Sequence, residues 1–493
     1  MKPIRLVLSV LLCLVIQPLF GQDLRVPLNQ EFGWDYEQHQ LNNAEIAPFA
    51  LRSMRISRSS FDSISAALRN NSRIKTHDSW IGRKAFDEHL AKVDSPNFYF
   101  HLDPVFNLQG GQDLNDPDRG TLFTNTRGVV VEGNVTDKVM FFTSFYENQG
   151  VYPQYVWDQY RRLSGKVPGY GASKRYAEQG FDYYMSTGAI WFNPTDHWTF
   201  QFGHDKLFIG NGYRSILLSD NPHNYPFLQV QTKRKYWSYT ANWAVWQTAQ
   251  RTPKTTDGEP MFTRKNLNLN YLTIRPFKKL ELGIFEGVVW KRWDDSTGTT
   301  KLNLNTLNPI IGVNSLLAQN DSNIASYSGL NLTYIPFSDF TAYGQLSFQG
   351  GYQLGAKYQW SKKAWRVRGQ LEYNVLNQGV YGNGENNTDY HHFGQPVAHP
   401  LNEDFAEFMG YGAILYRKWI ASLRYSNASS SEEYNGTLRV ENVQAKLAWV
   451  FNPTTNMQLY MQAHLRKTHD DESSTQWVSF GFRTNLINQY LDF

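Results

Sequence analysis

The sequence predicts an all-β transmembrane barrel of the outer-membrane kind, with about 18 antiparallel strands and a short helical N-terminal segment. Three observations carry this. From Asn97 onward, segments of about ten residues alternate apolar and polar side chains. The connections between them alternate very short and mostly much longer. Aromatic residues make up 15% of the chain, yet after the first 20 or so residues no apolar run is long enough for a membrane helix.

The chain opens "MKPIRLVLSVLLCLVIQPLFGQ", where Lys2 and Arg5 precede an apolar run of about 15 residues, the length of a secretory signal core. Gln17-Pro18 interrupts the run, which is short for a spanning helix. Residues 1–21 are therefore expected to be a removable export signal, cut after Gly21. Cys13 is the single cysteine, and Leu12 before it does not suit lipoprotein processing. Export leaves a mature chain without disulfides, so another device must hold it together. The formal charge of +4 drops to +2 once Lys2 and Arg5 leave, which gives no ground for a nucleic-acid partner.

Residues 22–96 lack the alternation. "SSFDSISAALRNN" and "DSWIGRKAFDEHLAKV" read as two short helices, the second capped by Asp78 or Ser79 and burying Phe86, Leu90 and Val93. They precede the first upward strand, which places them in the periplasm, against or inside the barrel mouth.

Residues 97–493 form the barrel. In "NMQLYMQAHLR" Met457, Leu459, Met461, Ala463 and Leu465 oppose Gln458, Tyr460, Gln462, His464 and Arg466. "WRVRGQLEYNV" sets Trp365, Val367, Leu371, Tyr373 and Val375 against Arg366, Arg368, Gln370, Glu372 and Asn374, and "NLNLNYL" sets Asn266, Asn268 and Asn270 against Leu267, Leu269 and Tyr271. Soluble sandwiches alternate too, so the turns decide the matter. Short ones ("NVTDKV", "FNPTDHW", "RPFKKL", "IPFSDF", "SKKAW", "YRKW", "FNPTTNM") alternate with long stretches near 148–180, 205–224, 248–263, 292–325 and 376–406. Short turns at one end and long loops at the other are the periplasmic and extracellular ends of a barrel. Eighteen strands fit, with 16 as the alternative, and closure is required because hydrocarbon cannot satisfy an open edge. The terminal "NQYLDF" offers the aromatic end that such barrels commonly present to their insertion machinery.

The loop in "FGHDKLFIGNGYRSILLSD" resembles a phosphate cradle but lacks the G-x-x-x-x-G-K-[ST] spacing and follows a barrel strand. Two readings stand. In one, Lys206, Asn211, Tyr213, Arg214 and Asp220 form a polar extracellular ligand site, joined by His399 from "DYHHFGQPVAHPLNEDF". In the other, the loop folds into the barrel, its glycines supply turns, and Ile216, Leu217 and Leu218 pack inside. His391, His392, His399, Asp389 and Asp404 include metal-ligand types without the helical spacing that makes a site specific, so no metal or cofactor is expected. No nucleophile-elbow pattern occurs, and the expectation is a protein that is not an enzyme.

Arg366, Arg368, Glu372, Arg424, Lys446 and Arg466 face the lumen. In a porin they would line water; in a plugged barrel they pair with loops. The basic turns Lys233-Arg234-Lys235 and Lys278-Lys279 are either docking points for other outer-membrane subunits or charge beside lipid headgroups.

Three segments carry a resemblance: "NTRGVVVEGNVTDKVMFFTSFYENQGVYPQYV", "FGHDKLFIGNGYRSILLSDNPHNYPFL" and "QPVAHPLNEDF". With Gly203-His204, Phe208-Ile209-Gly210, Gly212-Tyr213-Arg214-Ser215 and Leu218-Ser219-Asp220, the chain resembles the RemB-like gliding-motility outer-membrane proteins, related to the Wzi capsule-assembly family. It departs from the family pattern at Asp205-Lys206-Leu207, Asn211-Gly212 and Glu403-Asp404. The resemblance implies a surface barrel acting in gliding or in capsular or surface polysaccharide attachment, with outer-membrane lipid and polysaccharide as partners. A transport channel and a subunit of a larger outer-membrane complex are the alternatives.

Overall fold

The computed structural model describes residues 23–43, 48, 51–52, 54–71, 76–252, 260–294, 298–300, 303–319, 321–382, 387–430, 439–469, 473–484 and 488–493. The expected export signal lies outside them. Strands form where alternation lets a polar face and an apolar face coexist, and 18 of them close into one antiparallel barrel. They are β1 (Phe98–Asp113), β2 (Leu122–Val135), β3 (Val139–Val151), β4 (Gly180–Thr195), β5 (Trp198–Asp205) and β6 (Tyr225–Arg234). Next come β7 (Trp237–Arg251), β8 (Phe262–Phe277), β9 (Leu280–Lys291), β10 (Ile324–Phe337), β11 (Phe340–Ser347) and β12 (Gly351–Lys362). The last are β13 (Trp365–Leu376), β14 (Phe405–Tyr416), β15 (Trp419–Ser430), β16 (Arg439–Asn452), β17 (Met457–Thr468) and β18 (Ser474–Arg483). The alternative of 16 is thereby set aside. One extracellular connection, 348–350, is as short as the periplasmic turns.

Closure joins β18 to β1, from Trp477↔Asp113 to Arg483↔Asn107. Below that point β1 would present a bare edge, and Ala91–Ser95 fills it by pairing with Phe98–Leu102. This explains why the helix expected to reach Val93 stops early. It spans Trp80–Phe86, with Ser79 accepting from the Gly82 N–H, and Leu90 and Val93 are exposed. The chain there is needed as a strand.

The polar face of most strands turns inward, and the apolar face meets lipid. On β13, Arg368, Gln370, Glu372 and Asn374 are buried while Leu371 and Tyr373 are exposed. Trp198, Trp237, Phe277, Phe337, Trp365 and Trp419 project outward near the periplasmic strand ends as an interfacial aromatic girdle.

One flank inverts the rule. On β8 the leucine face turns inward: Leu267, Leu269 and Tyr271 join an interior apolar cluster with Ile216, Leu217, Trp246 and Tyr390. Asn268 and Asn270 therefore point outward, beside Glu286 of β9. Residues 303–319 lie over them on the outside of the wall as a strap. Asn268 Nδ2 donates to the carbonyls of Thr306 (2.6 Å) and Asn308 (2.9 Å). Glu286 accepts from Asn270 Nδ2 (3.2 Å) and from the Ser315 N–H (3.0 Å). The strap turns Leu304, Ile310 and Leu316 away from the wall, each at least 60% exposed. Polar groups that could not face hydrocarbon are thus sealed, and the belt is restored one layer further out.

Residues of the N-terminal segment enter the lumen. Asp23–Arg25 pairs with Arg55–Ser57, and helix α1 (Gln30–Asn42) lies between them in sequence. Asn29 caps α1 by accepting from the Phe32 N–H at 3.0 Å. A second helix, Arg58–Asn71, follows.

Candidate functional site

The interior of the barrel is the site, and four pieces of chain meet there. The loop 206–224 dips inward from the extracellular end; Phe208–Ile209 pairs with Leu51–Arg52 of the N-terminal segment, so chain entering from both mouths meets in one small sheet. Tyr381 and Tyr390 of the connection between β13 and β14 donate to the carbonyls of Ile216 and Leu217, and the tail 488–493 meets the same loop through Tyr490 and Asp492.

All six residues singled out from the sequence are at least 95% buried. Lys206 Nζ donates to the carbonyls of Gly169 (2.8 Å) and Asp220 (3.0 Å), and burial lowers its pKa to about 8 despite Asp220 and Asp205 nearby. Asn211 Nδ2 donates to Thr333 Oγ1 at 2.6 Å. Asp220 accepts from Tyr490 OH (2.7 Å) and Asn488 Nδ2 (3.0 Å), and burial raises its pKa. Tyr213 OH donates to Asp492 Oδ2 at 2.8 Å and accepts from Arg424 at 2.8 Å. Arg214 sits between Glu407 Oε1 (3.3 Å) and Asp492 Oδ1 (3.1 Å). Burial works against its charge, but those two carboxylates outweigh burial and hold the guanidinium protonated. His399 Nδ1 accepts from the Leu401 N–H at 3.2 Å, so Nε2 carries the proton and donates to Glu407 at 2.8 Å.

The structure thus unites Tyr213, Arg214 and His399 around Glu407 and Asp492, sets Lys206 beside Asp220, and leaves Asn211 apart, bonded to Thr333 of β10. Six buried side chains with internal partners can hold a loop in place; none offers a surface group to a ligand outside. The paired glycines serve the same end. Gly210 has φ +107°, and a Cβ on Gly212 would collide with the Arg214 carbonyl and the Glu372 carboxylate. Glu372 can therefore accept from the backbone N–H groups of Tyr213 (2.8 Å) and Arg214 (3.1 Å).

The other histidines of 377–404 are also committed. His392 accepts from the Gln247 N–H at 3.0 Å, and His391 Nε2 lies 3.0 Å from Asn402 Oδ1. Burial pushes both down to about 3, so they are neutral.

Sequence reasoning missed the partner of the lumen arginines. Asp35 of α1 binds Arg366 and Arg368, both at 2.6 Å. Glu37 binds Arg52 (2.7 Å) and Lys357 (3.3 Å), and Glu31 binds Lys446 and Arg483 (3.2 Å to the latter). Glu31 and Asp35 stand one helical turn apart, opposite basic side chains on alternate strand positions, and that complementarity was the available signal. Burial raises the cost of charging Glu31, yet Lys446 and Arg483 overcome it and hold its pKa at about 2 instead of 4.5. A depressed carboxylate gives stability that is complete above pH 4.5 and lost as pH falls toward 2. Docking of α1 is therefore expected to weaken across that window, read by the fluorescence of Trp34, which is 4% exposed. Glu31→Gln should flatten the transition.

A closed wall of 18 strands with an apolar belt outside and its own chain packed inside defines a plugged β-barrel of the bacterial outer membrane. No protein-family model matches the sequence, and no curated protein matches it. Among solved structures the chain is similar to Wzi of Escherichia coli, described as an outer membrane protein involved in group 1 capsule assembly and a carbohydrate-binding β-barrel. The TM-score is 0.57 at 12% identity, over 94% of this chain and all of that one, a likeness of fold. A BenF-like porin from Pseudomonas fluorescens (TM-score 0.43, 7% identity, 79% of this chain and 99% of that one) is more distant. So is OpdK of Pseudomonas aeruginosa (0.42, 11%, 78% and 98%), and no argument rests on either.

Proposed function

We propose that the protein is a non-enzymatic surface barrel that retains capsular or other surface polysaccharide, in capsule attachment or in gliding motility. The observation that carries this is the plug: buried ion pairs fix segments from both mouths across the lumen, so the barrel serves as an anchor and the loops as its working surface. The carbohydrate-binding character of the Wzi barrel supports the reading. The loop 152–179 leaves Arg161, Arg162, Lys174, Arg175 and Tyr176 exposed, with Trp157 half-buried beside them. Cationic and aromatic groups together suit an acidic sugar chain, whose ring faces stack and whose carboxylates pair.

The test uses the purified barrel and surface polysaccharide from the producing cell, with single-channel conductance recorded on the same preparation. Saturable binding with little conductance is expected, and Arg161→Glu with Arg175→Glu should weaken binding without changing the fold. Steady conductance without sugar binding would make the protein a pore. A deletion strain separates the two roles: loss of the polysaccharide layer speaks for attachment, loss of movement over a support for gliding.

A further inference from the structure

We infer that the periplasmic mouth holds a divalent transition-metal site formed by His89, His101, Asp103 and Glu132. His101 and Asp103 lie two apart on β1 and so share its inner face, and Glu132 of β2 is the cross-strand partner of His101. His89 comes from the chain between helix Trp80–Phe86 and the edge strand Ala91–Ser95. Among the described residues, one nitrogen of each histidine and one Asp103 oxygen lie within 4.8 Å of one another. The group lines a cavity of about 520 Å³ between the N-terminal segment and the barrel wall.

His101 is the observation that points to a ligand. Its side chain is about nine-tenths buried, and Nδ1 has no hydrogen-bond partner among the described residues. Nε2 stands 3.9 Å from Asp103 Oδ2 and 3.9 Å from Glu132 Oε2. That is beyond a hydrogen bond, but it is a natural spacing for atoms sharing one ion, since ligands at roughly 2.1 Å from a metal lie up to ~4.2 Å apart. His89 Nδ1 meets the same Asp103 oxygen at 2.5 Å, and its ring lies over that of His101 with centroids 4.0 Å apart. Small ring rotations would bring both nitrogens onto an ion bound at Asp103.

The supporting contacts have the form of a metal site's outer layer. The Leu90 N–H donates to Asp103 Oδ1 at 2.8 Å, which leaves Oδ2 turned to the histidines. The Arg25 N–H donates to Glu132 Oε1 at 2.7 Å, which leaves Oε2 turned to His101. Each carboxylate is thus held by one oxygen and offers the other. Two imidazoles and two carboxylates suit Zn²⁺ and its first-row neighbours better than Ca²⁺ or Mg²⁺, which prefer oxygen alone. An ion here would clamp the N-terminal segment to the wall through His89 and β1.

The experiment uses the full-length barrel in detergent, free of any histidine tag and stripped with chelator, titrated with Zn²⁺ by calorimetry and with Co²⁺ by visible absorption. One equivalent should bind, with Co²⁺ giving the d–d bands of nitrogen and oxygen ligation. His101→Gln and His89→Gln should each weaken binding by roughly 100-fold, and Glu132→Gln by about tenfold. Heat-modifiable mobility on gels reports that each variant is folded. If the folded wild-type barrel takes up neither ion, or binds it equally well in His101→Gln, the assignment is wrong.

Discussion

Arg214→Met is expected to cost about 3–5 kcal/mol, the usual penalty for removing one partner of a buried ion pair. Glu407 and Asp492 would remain in a site where Arg214 is 2% exposed, left with His399 on Glu407 and with Arg424, which reaches Asp492 only through Tyr213 OH. The wall should survive, because its ladder does not depend on this side chain. What loosens is the loop 206–224 and the tail that shares Asp492. The denaturant midpoint should fall, and brief channel openings should appear where the parent is quiet. Adding Glu407→Gln should recover part of the loss, since one stranded charge disappears with it. A single variant as stable and as silent as the parent would show that the plug is held by packing alone.

The second large effect is expected at Asp35. One carboxylate bridges Arg366 and Arg368 of β13, with the Arg368 side chain 3% exposed, and burial of Asp35 is outweighed by those two cations, which lower its pKa. Asp35→Asn keeps the shape and removes the charge. It should cost about 3 kcal/mol and release α1 from the wall, exposing residues 30–42 to added protease while the barrel keeps its heat-resistant mobility. Protection equal to the parent would show that Glu31 and Glu37 suffice.

How much of this was legible follows from what each segment needs. The strands were readable because each is a local pattern of period two, and the alternating segment "WRVRGQLEYNV" forms β13, Trp365–Leu376. Which face turns inward was not local. The leucines of β8 point inward because the interior there is filled by Ile216 and Leu217 and is apolar, and no alternation can reveal that. The glycine loop offered two readings, and burial of Ile216–Leu218 supports the inward one. Helix α1 went unread because Glu31, Asp35 and Glu37 look like a solvated face until their partners, more than 300 residues later, are known. The place of the tail was not legible either: the folded chain holds Phe493 against Tyr155 and Arg466, contacts made with residues far away in sequence.

The strap over β8 and β9 gives the molecule a heading. A barrel with uniform walls can turn about its axis and present the same profile to every neighbour. Here one flank is thicker, and Leu304, Ile310 and Leu316 stand off the cylinder as a ridge. Acyl chains must part around that ridge and close again behind it, and another barrel can approach flush only from the remaining sides. Rotation in the plane of the membrane is thereby no longer neutral, and the long loops above inherit a fixed bearing relative to whatever packs alongside.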